Sequence, residues 1–312
     1  MKKLIFFLTS LMFLCAVYGQ ESEITLHTPD GDLYGTLSLP TAPTPVPVVL
    51  FVAASGPTDR NGNNPMMKNN AYRMLAEMLA KNGIASLRYD KRGIAASSQA
   101  MGKEEDLRIE NYVNDAKAWV DLLQSDRRFD RIVIAGHSEG SLIGMMASAG
   151  NPAVDKFISL AGPGRPMSEI LRQQLSSQPK QILDLCIPIL EKLEKGDTVS
   201  QVHPFLNALF RPSVQPYLIS CFQHHPTDEI AKLKIPVLLI QGSNDLQCGP
   251  EDAELLAKAC PQAEKHLLPK MTHVLKDCEA TDQVTQISKV YNDPNCPVNT
   301  EIEKIITDFI KK

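Results

Sequence analysis

Short, nearly unbroken apolar runs alternate along this chain with segments whose apolar residues recur at helical spacing. The run 45–54 (PVPVVLFVAA) is apolar almost throughout, as expected of a strand buried on both faces. Residues 70–83 (NAYRMLAEMLAKNG) place Leu75, Met78 and Leu79 on one helical face and stop at Gly83. The run 84–90 (IASLRYD) reads as the next strand, and 111–125 as an amphipathic helix carrying the only tryptophan, Trp119. A strand over 131–135 then enters a helix with Leu142, Ile143, Met145 and Met146, and 156–162 (KFISLAG) follows as a strand. Strand–helix alternation of this kind predicts a mostly parallel, doubly wound sheet with helices on both faces.

The ends of the pattern differ from its middle. Residues 23–40 show two partly alternating runs around Pro29-Asp30-Gly31-Asp32, a turn signal that predicts an antiparallel hairpin. From 163 to 229 the alternation stops. That stretch holds eight prolines, an amphipathic helix at 180–195 with Pro188 inside it, and no strand pattern. The alternation resumes at 236–242 and continues through a helix at 250–260, a strand at 263–269 and a last helix at 299–312. The expected organisation is therefore a core over 20–162 and 230–312, interrupted by a helical cap over 163–229. Residues 1–19 stand apart. Lys2 and Lys3 precede an apolar run at 4–17, and Val17-Tyr18-Gly19 offers a cleavage site, so an export signal is expected, cleaved after Gly19. The alternatives are an uncleaved anchor or lipidation at Cys15, the latter disfavoured by the bulky Leu14.

Charge narrows the function classes. The formal charge of −4 becomes −6 without Lys2 and Lys3, and no basic block remains. Nothing favours nucleic acid or an anionic membrane as a partner, and no second run is long enough to span a bilayer. Six cysteines follow residue 19. An exported chain with an even count suggests disulfides. The expected pairs are Cys248–Cys278, Cys186–Cys221 and Cys260–Cys296. No C-x-x-C or H-E-x-x-H motif points to a metal, and no cofactor is expected.

Candidate chemistry centres on Gly136-His137-Ser138-Glu139-Gly140, a G-x-S-x-G sequence at a strand-to-helix turn. Such a turn lifts the serine hydroxyl clear of the sheet and aims free N–H groups at the same point. A serine needs a base and an orienting acid. Of seven histidines, His273 is the one in a loop directly after the last strand. Asp245, after Gly242-Ser243-Asn244, is the candidate acid, with Asp252 as runner-up. The order Ser138, Asp245, His273 fits a nucleophile–acid–base triad. For the oxyanion, the candidate donors are the backbone N–H of Glu139 and that of Ser55, in the turn-rich loop 53–64. Arg60 of that loop is expected to pin it by pairing with Asp90 or Glu139.

Three motifs together resemble the α/β-hydrolase superfamily, in particular bacterial carboxylesterases of the serine-aminopeptidase-like group. The elbow resembles GxSEGxxxG (Gly136, Ser138, Glu139, Gly140, Gly144). The stretch ASGPTDRNGN (54–63) resembles that group's oxyanion loop, and DKRGIA (90–95) resembles its DxRGxG motif. Ala54 and Ala95 each stand where the group carries glycine. The resemblance implies an α/β-hydrolase fold and hydrolysis of a small-molecule carboxylic ester by Ser138, His273 and Asp245. A peptidase or acyltransferase on the same triad, or a non-catalytic binding protein of this fold, are the other readings.

Overall fold

Eight strands form one sheet, in which the apolar central strands bury both of their faces and the two outermost strands stay partly exposed. The computed structural model describes residues 19–176 and 178–312. The expected signal segment, apart from Gly19, and Cys15 lie outside the described residues. In chain order the elements are β1 (Gln20–Thr28), β2 (Gly31–Leu39), β3 (Val46–Val52), α1 (Ala71–Lys81), β4 (Ala85–Tyr89), α2 (Ile109–Gln124), β5 (Phe129–His137), α3 (Glu139–Ser148) and β6 (Lys156–Leu160). Five helices follow: α4 (Met167–Ser176), α5 (Lys180–Glu194), α6 (Asn207–Phe210), α7 (Gln215–Phe222) and α8 (Pro226–Ala231). The chain closes with β7 (Val237–Gly242), α9 (Pro250–Ala259), β8 (Glu264–Leu268), α10 (Gln283–Gln286) and α11 (Glu301–Lys311).

The strand order is β1-β2-β4-β3-β5-β6-β7-β8. Strand β2 runs antiparallel to both β1 and β4, and every later pairing is parallel. The chain reverses direction across the sheet at β3, so β3 and β5 lie side by side and the loops leaving their C-terminal ends share a crevice. Open α/β sheets place ligands in such a crevice.

Alternation along the central strands divides the core. Val48, Leu50 and Val52 of β3 pack with Trp119, Leu142 and Ile143 on the face covered by α2 and α3. Val49 and Phe51 pack with Leu75, Leu79, Ile302 and Phe309 on the face covered by α1 and α11. Between β6 and β7 the described residues are helical or irregular, with no strand. Pro188 lies inside α5. Among the described residues no helix is long and apolar enough to cross a membrane.

The expected disulfides need correction. The six described cysteines are all free thiols. Cys278 packs with Val274 and Val290, beside Cys296, whereas Cys248 is buried in the loop just before α9, so the two adjoining loops do not bring their thiols together. The segment between β8 and α11 also has structure that its mixed polar pattern concealed: α10 runs into a single π turn over Ile287–Tyr291.

Ala95 shows what the departure from glycine costs locally. It follows β4 with φ at +45°, in the left-handed region that a Cβ disfavours. We expect Ala95→Gly to raise the thermal midpoint, with a gain of up to about 1 kcal/mol after the extra unfolded-state entropy of glycine. Thermal unfolding followed by circular dichroism reads this directly. An unchanged or lower midpoint would mean that the turn carries no strain.

Candidate active site

The elbow between β5 and α3 forces Ser138 into φ 55°, ψ −125°, an unusual conformation for a residue with a side chain. Close packing on both sides leaves little room to relax. A Cβ on Gly136 would lie 2.1 Å from the Gly140 carbonyl oxygen, and a Cβ on Gly140 would lie 2.2 Å from that of Val52. The Ser138 N–H donates to the Leu160 carbonyl at 3.0 Å, which ties the elbow to β6. Ser138 is partly exposed, and its hydroxyl makes no hydrogen bond among the described residues. The N–H of Glu139, the first residue of α3, has no carbonyl one turn earlier within the helix to accept it.

Asp245 and His273 are brought together. His273 Nδ1–H donates to Asp245 Oδ2 at 2.8 Å, and both residues are buried, at 5% and 6% exposure. Oδ2 of Asp245 also accepts from the Gln241 side-chain amide at 3.0 Å. Its Oδ1 accepts from the N–H groups of Gln247 and Cys248 at 2.8 and 3.0 Å. A carboxylate with four donors has one orientation, and so does the imidazole it holds. Because Nδ1 carries the proton, Nε2 keeps a free lone pair. The His273 loop is a tight turn in which Thr272 bonds the Lys276 carbonyl through both its N–H and its hydroxyl, each at 2.8 Å. Asp252, the alternative acid, is engaged elsewhere. It lies in α9 and accepts from the N–H of Gly164 and from the backbone and guanidinium of Arg165.

The loop 53–64 is held mainly from the end of β4. Arg60 Nε donates to Asp90 at 3.0 Å, Arg60 N–H donates to the same carboxylate at 2.8 Å, and Arg88 bonds Asn61. Of the two partners expected for Arg60, Asp90 is the one found. Lys91 Nζ donates to the Ala54 carbonyl at 2.6 Å. The same ammonium lies 3.8 Å from the Glu139 carboxylate, an ion pair rather than a hydrogen bond, with Lys91 at 1% and Glu139 at 3% exposure. Burial pulls the Lys91 ammonium below its ordinary range, and Glu139 opposes that shift. The second Glu139 oxygen accepts from Tyr217 of α7 at 2.7 Å.

His137 has a role that its place beside Ser138 did not reveal. Its Nε2–H donates to the His273 carbonyl at 2.7 Å, so its Nδ1 accepts from the Tyr72 hydroxyl, also at 2.7 Å. Tyr72 in turn accepts from the Ala54 N–H at 3.0 Å. One unbroken chain therefore joins the loop of Ser55, the elbow of Ser138 and the loop of His273. The two imidazole rings lie 4.9 Å apart. The contributions of Tyr72, Lys91 and Gln241 were also missed. A lysine two residues after a fully buried strand was the available signal for Lys91.

A cavity of about 240 Å³ opens beside His273, with Ser55, Thr58, Tyr72, Gln247 and Tyr291 in its wall and no carboxylate among its lining residues. A second, of about 580 Å³, shares Gln247 and Tyr291 and is walled by Leu175 and Leu209 of the helical segment between β6 and β7. Among the described residues no group of three or more His, Cys, Asp or Glu is arranged to hold a metal ion.

Burial lowers the pKa of His137 to about 3, with the neighbouring His273 adding to the shift. Its neutral form is thus favoured by folding. The resulting stability is complete above the unfolded value near 6.5 and is lost as pH falls from there toward 3. We expect the His137 ¹⁵N resonances to keep the neutral, Nε2-protonated pattern down to about pH 4. A titration midpoint above pH 5 would contradict the buried network.

A family model described as serine aminopeptidase, S33, matches residues 67–203, a span that includes Ser138 and ends before Asp245 and His273. Esterase EstD of Thermotoga maritima is 29% identical over 246 residues, which cover 77% of this chain and 55% of that protein. The chain thus matches about half the length of that relative. Among solved structures, Est1E from Butyrivibrio proteoclasticus with ferulic acid bound superposes with a TM-score of 0.65 at 17% identity, covering 93% of this chain and all of the other. The α/β hydrolase GrgF from a Penicillium species gives 0.60 at 19% identity, covering 94% of this chain and 98% of the other. The sheet order, the strained serine elbow and these structural likenesses show that the chain has the α/β-hydrolase fold.

Proposed function

We propose that the protein hydrolyses carboxylic esters of small molecules through an acyl-enzyme formed on Ser138. The observation that carries this reading is the buried His273–Asp245 pair at 2.8 Å, whose loop is bonded at the His273 carbonyl by His137, the neighbour of a serine held in the strained elbow geometry. In this mechanism Nε2 of His273 takes the Ser138 proton as the serine oxygen attacks the ester carbonyl. The backbone N–H groups of Ser55 and Glu139 donate hydrogen bonds to the carbonyl oxygen as negative charge develops on it. The tetrahedral intermediate collapses, the C–O bond to the alcohol breaks, and His273 gives its proton to the departing oxygen. Water, deprotonated by His273, then releases the acid and restores Ser138. Asp245 keeps the imidazole in the required tautomer and stabilises it when charged.

Esters suit this cavity better than N-terminal peptides, because an α-ammonium group calls for a carboxylate and none lines the wall beside His273. Residues 163–229 act in this reading as a helical cap, since Leu175 and Leu209 wall the larger cavity.

Steady-state hydrolysis of p-nitrophenyl esters tests the assignment. Ser138→Ala and His273→Ala are expected to lower kcat by at least about 10³-fold, and Asp245→Asn by a comparable factor through loss of the correct tautomer. Retention of a tenth of the wild-type rate by any folded variant of the three would remove that residue from the mechanism.

A further inference from the structure

The oxyanion site needs the Ser55 N–H to face the reacting carbonyl, yet Ser55 lies in an exposed loop. The peptide that carries this N–H joins Ala54 to Ser55 and is trans, so its N–H points opposite to its C=O. That C=O is the oxygen bonded by buried Lys91 at 2.6 Å. Fixing the carbonyl toward Lys91 therefore fixes the Ser55 N–H in the opposite direction. Among the described residues this N–H has no protein partner. The neighbouring Ala54 N–H is fixed as well, by the Tyr72 hydroxyl at 3.0 Å.

We propose that Lys91, held by its ion pair with Glu139, and Tyr72 are positioning residues that together clamp the Ala54–Ser55 peptide so that the Ser55 N–H is aimed as an oxyanion donor. The inference rests on the ester-hydrolase reading and deepens it. Glu139 serves the site twice. Its backbone N–H is the second donor, and its side chain, anchored by Tyr217 at 2.7 Å, holds Lys91 in place. The two donors are thereby linked through a single buried charge pair, and their spacing does not depend on the exposed part of the loop. A cation on the carbonyl oxygen also polarises the amide and makes its N–H a stronger donor. Because these effects matter most when charge is on the substrate oxygen, their loss falls on the transition state and not on substrate binding.

Two variants test the clamp. Lys91→Met combined with Glu139→Gln removes the donor to Ala54 without leaving a lone buried charge, and glutamine can still accept from Tyr217. Tyr72→Phe removes only the hydroxyl and preserves the ring. For each, kcat on p-nitrophenyl acetate is expected to fall about ten- to hundredfold with KM within about threefold of wild type. The inhibition constant for phenylboronic acid, a tetrahedral mimic, should rise by a similar factor. Circular dichroism establishes that each variant is folded, and if the double variant does not fold, Tyr72→Phe decides. A folded variant with kcat and boronate affinity within threefold of wild type overturns the clamp. A wild type that neither hydrolyses the ester nor binds the boronate overturns the ester-hydrolase reading itself, and the clamp with it.

Discussion

The conformation of one residue, Ser138 at φ 55°, ψ −125°, is the constraint on which the site depends. A side chain held there costs on the order of 1–3 kcal/mol, and it persists only where the surroundings over-determine it. They do so here through the abutting glycines, Gly136 against Gly140 and Gly140 against the end of β3. The strain has a geometric product. It turns the chain out of β5 sharply enough that the serine hydroxyl and the first N–H of α3 occupy neighbouring positions at the C-terminal edge of the sheet.

Around that turn, buried polar contacts do what apolar packing cannot, which is to fix directions. Lys91 and Tyr72 hold the Ala54 backbone, Asp90 holds Arg60, and Asp245 holds His273. Each of these groups is buried or nearly so, and each has its partners, so each has one low-energy arrangement. Removing one member of the Lys91–Glu139 pair alone would leave the other charge unpaired in the interior, at a cost of about 3–5 kcal/mol. Stability and site geometry are coupled through the same contacts.

Much of this was legible in the chain. The β3, β5 and β7 runs are apolar enough to announce strands buried on both faces, and the proline-rich gap between β6 and β7 announces an insertion without strands. Asp245 and His273 could be nominated because each directly follows a strand, in an order that suits a nucleophile at 138. What stayed hidden depends on contacts between distant segments. His137 reads as a spacer in the elbow motif until Tyr72, 65 positions earlier, is seen to bond it. The cysteines mislead because loop proximity fixes neither the direction of a thiol nor its packing partners. The turn at 287–291 escapes notice because its polar and apolar residues follow neither period.

The most direct measurement is a crystal structure of the protein after reaction with a fluorophosphonate ester. The expected result is phosphorus bonded to Ser138 Oγ and a phosphoryl oxygen about 2.7–3.1 Å from the backbone nitrogens of both Ser55 and Glu139. An adduct on another residue, or a phosphoryl oxygen turned away from both nitrogens, would contradict it.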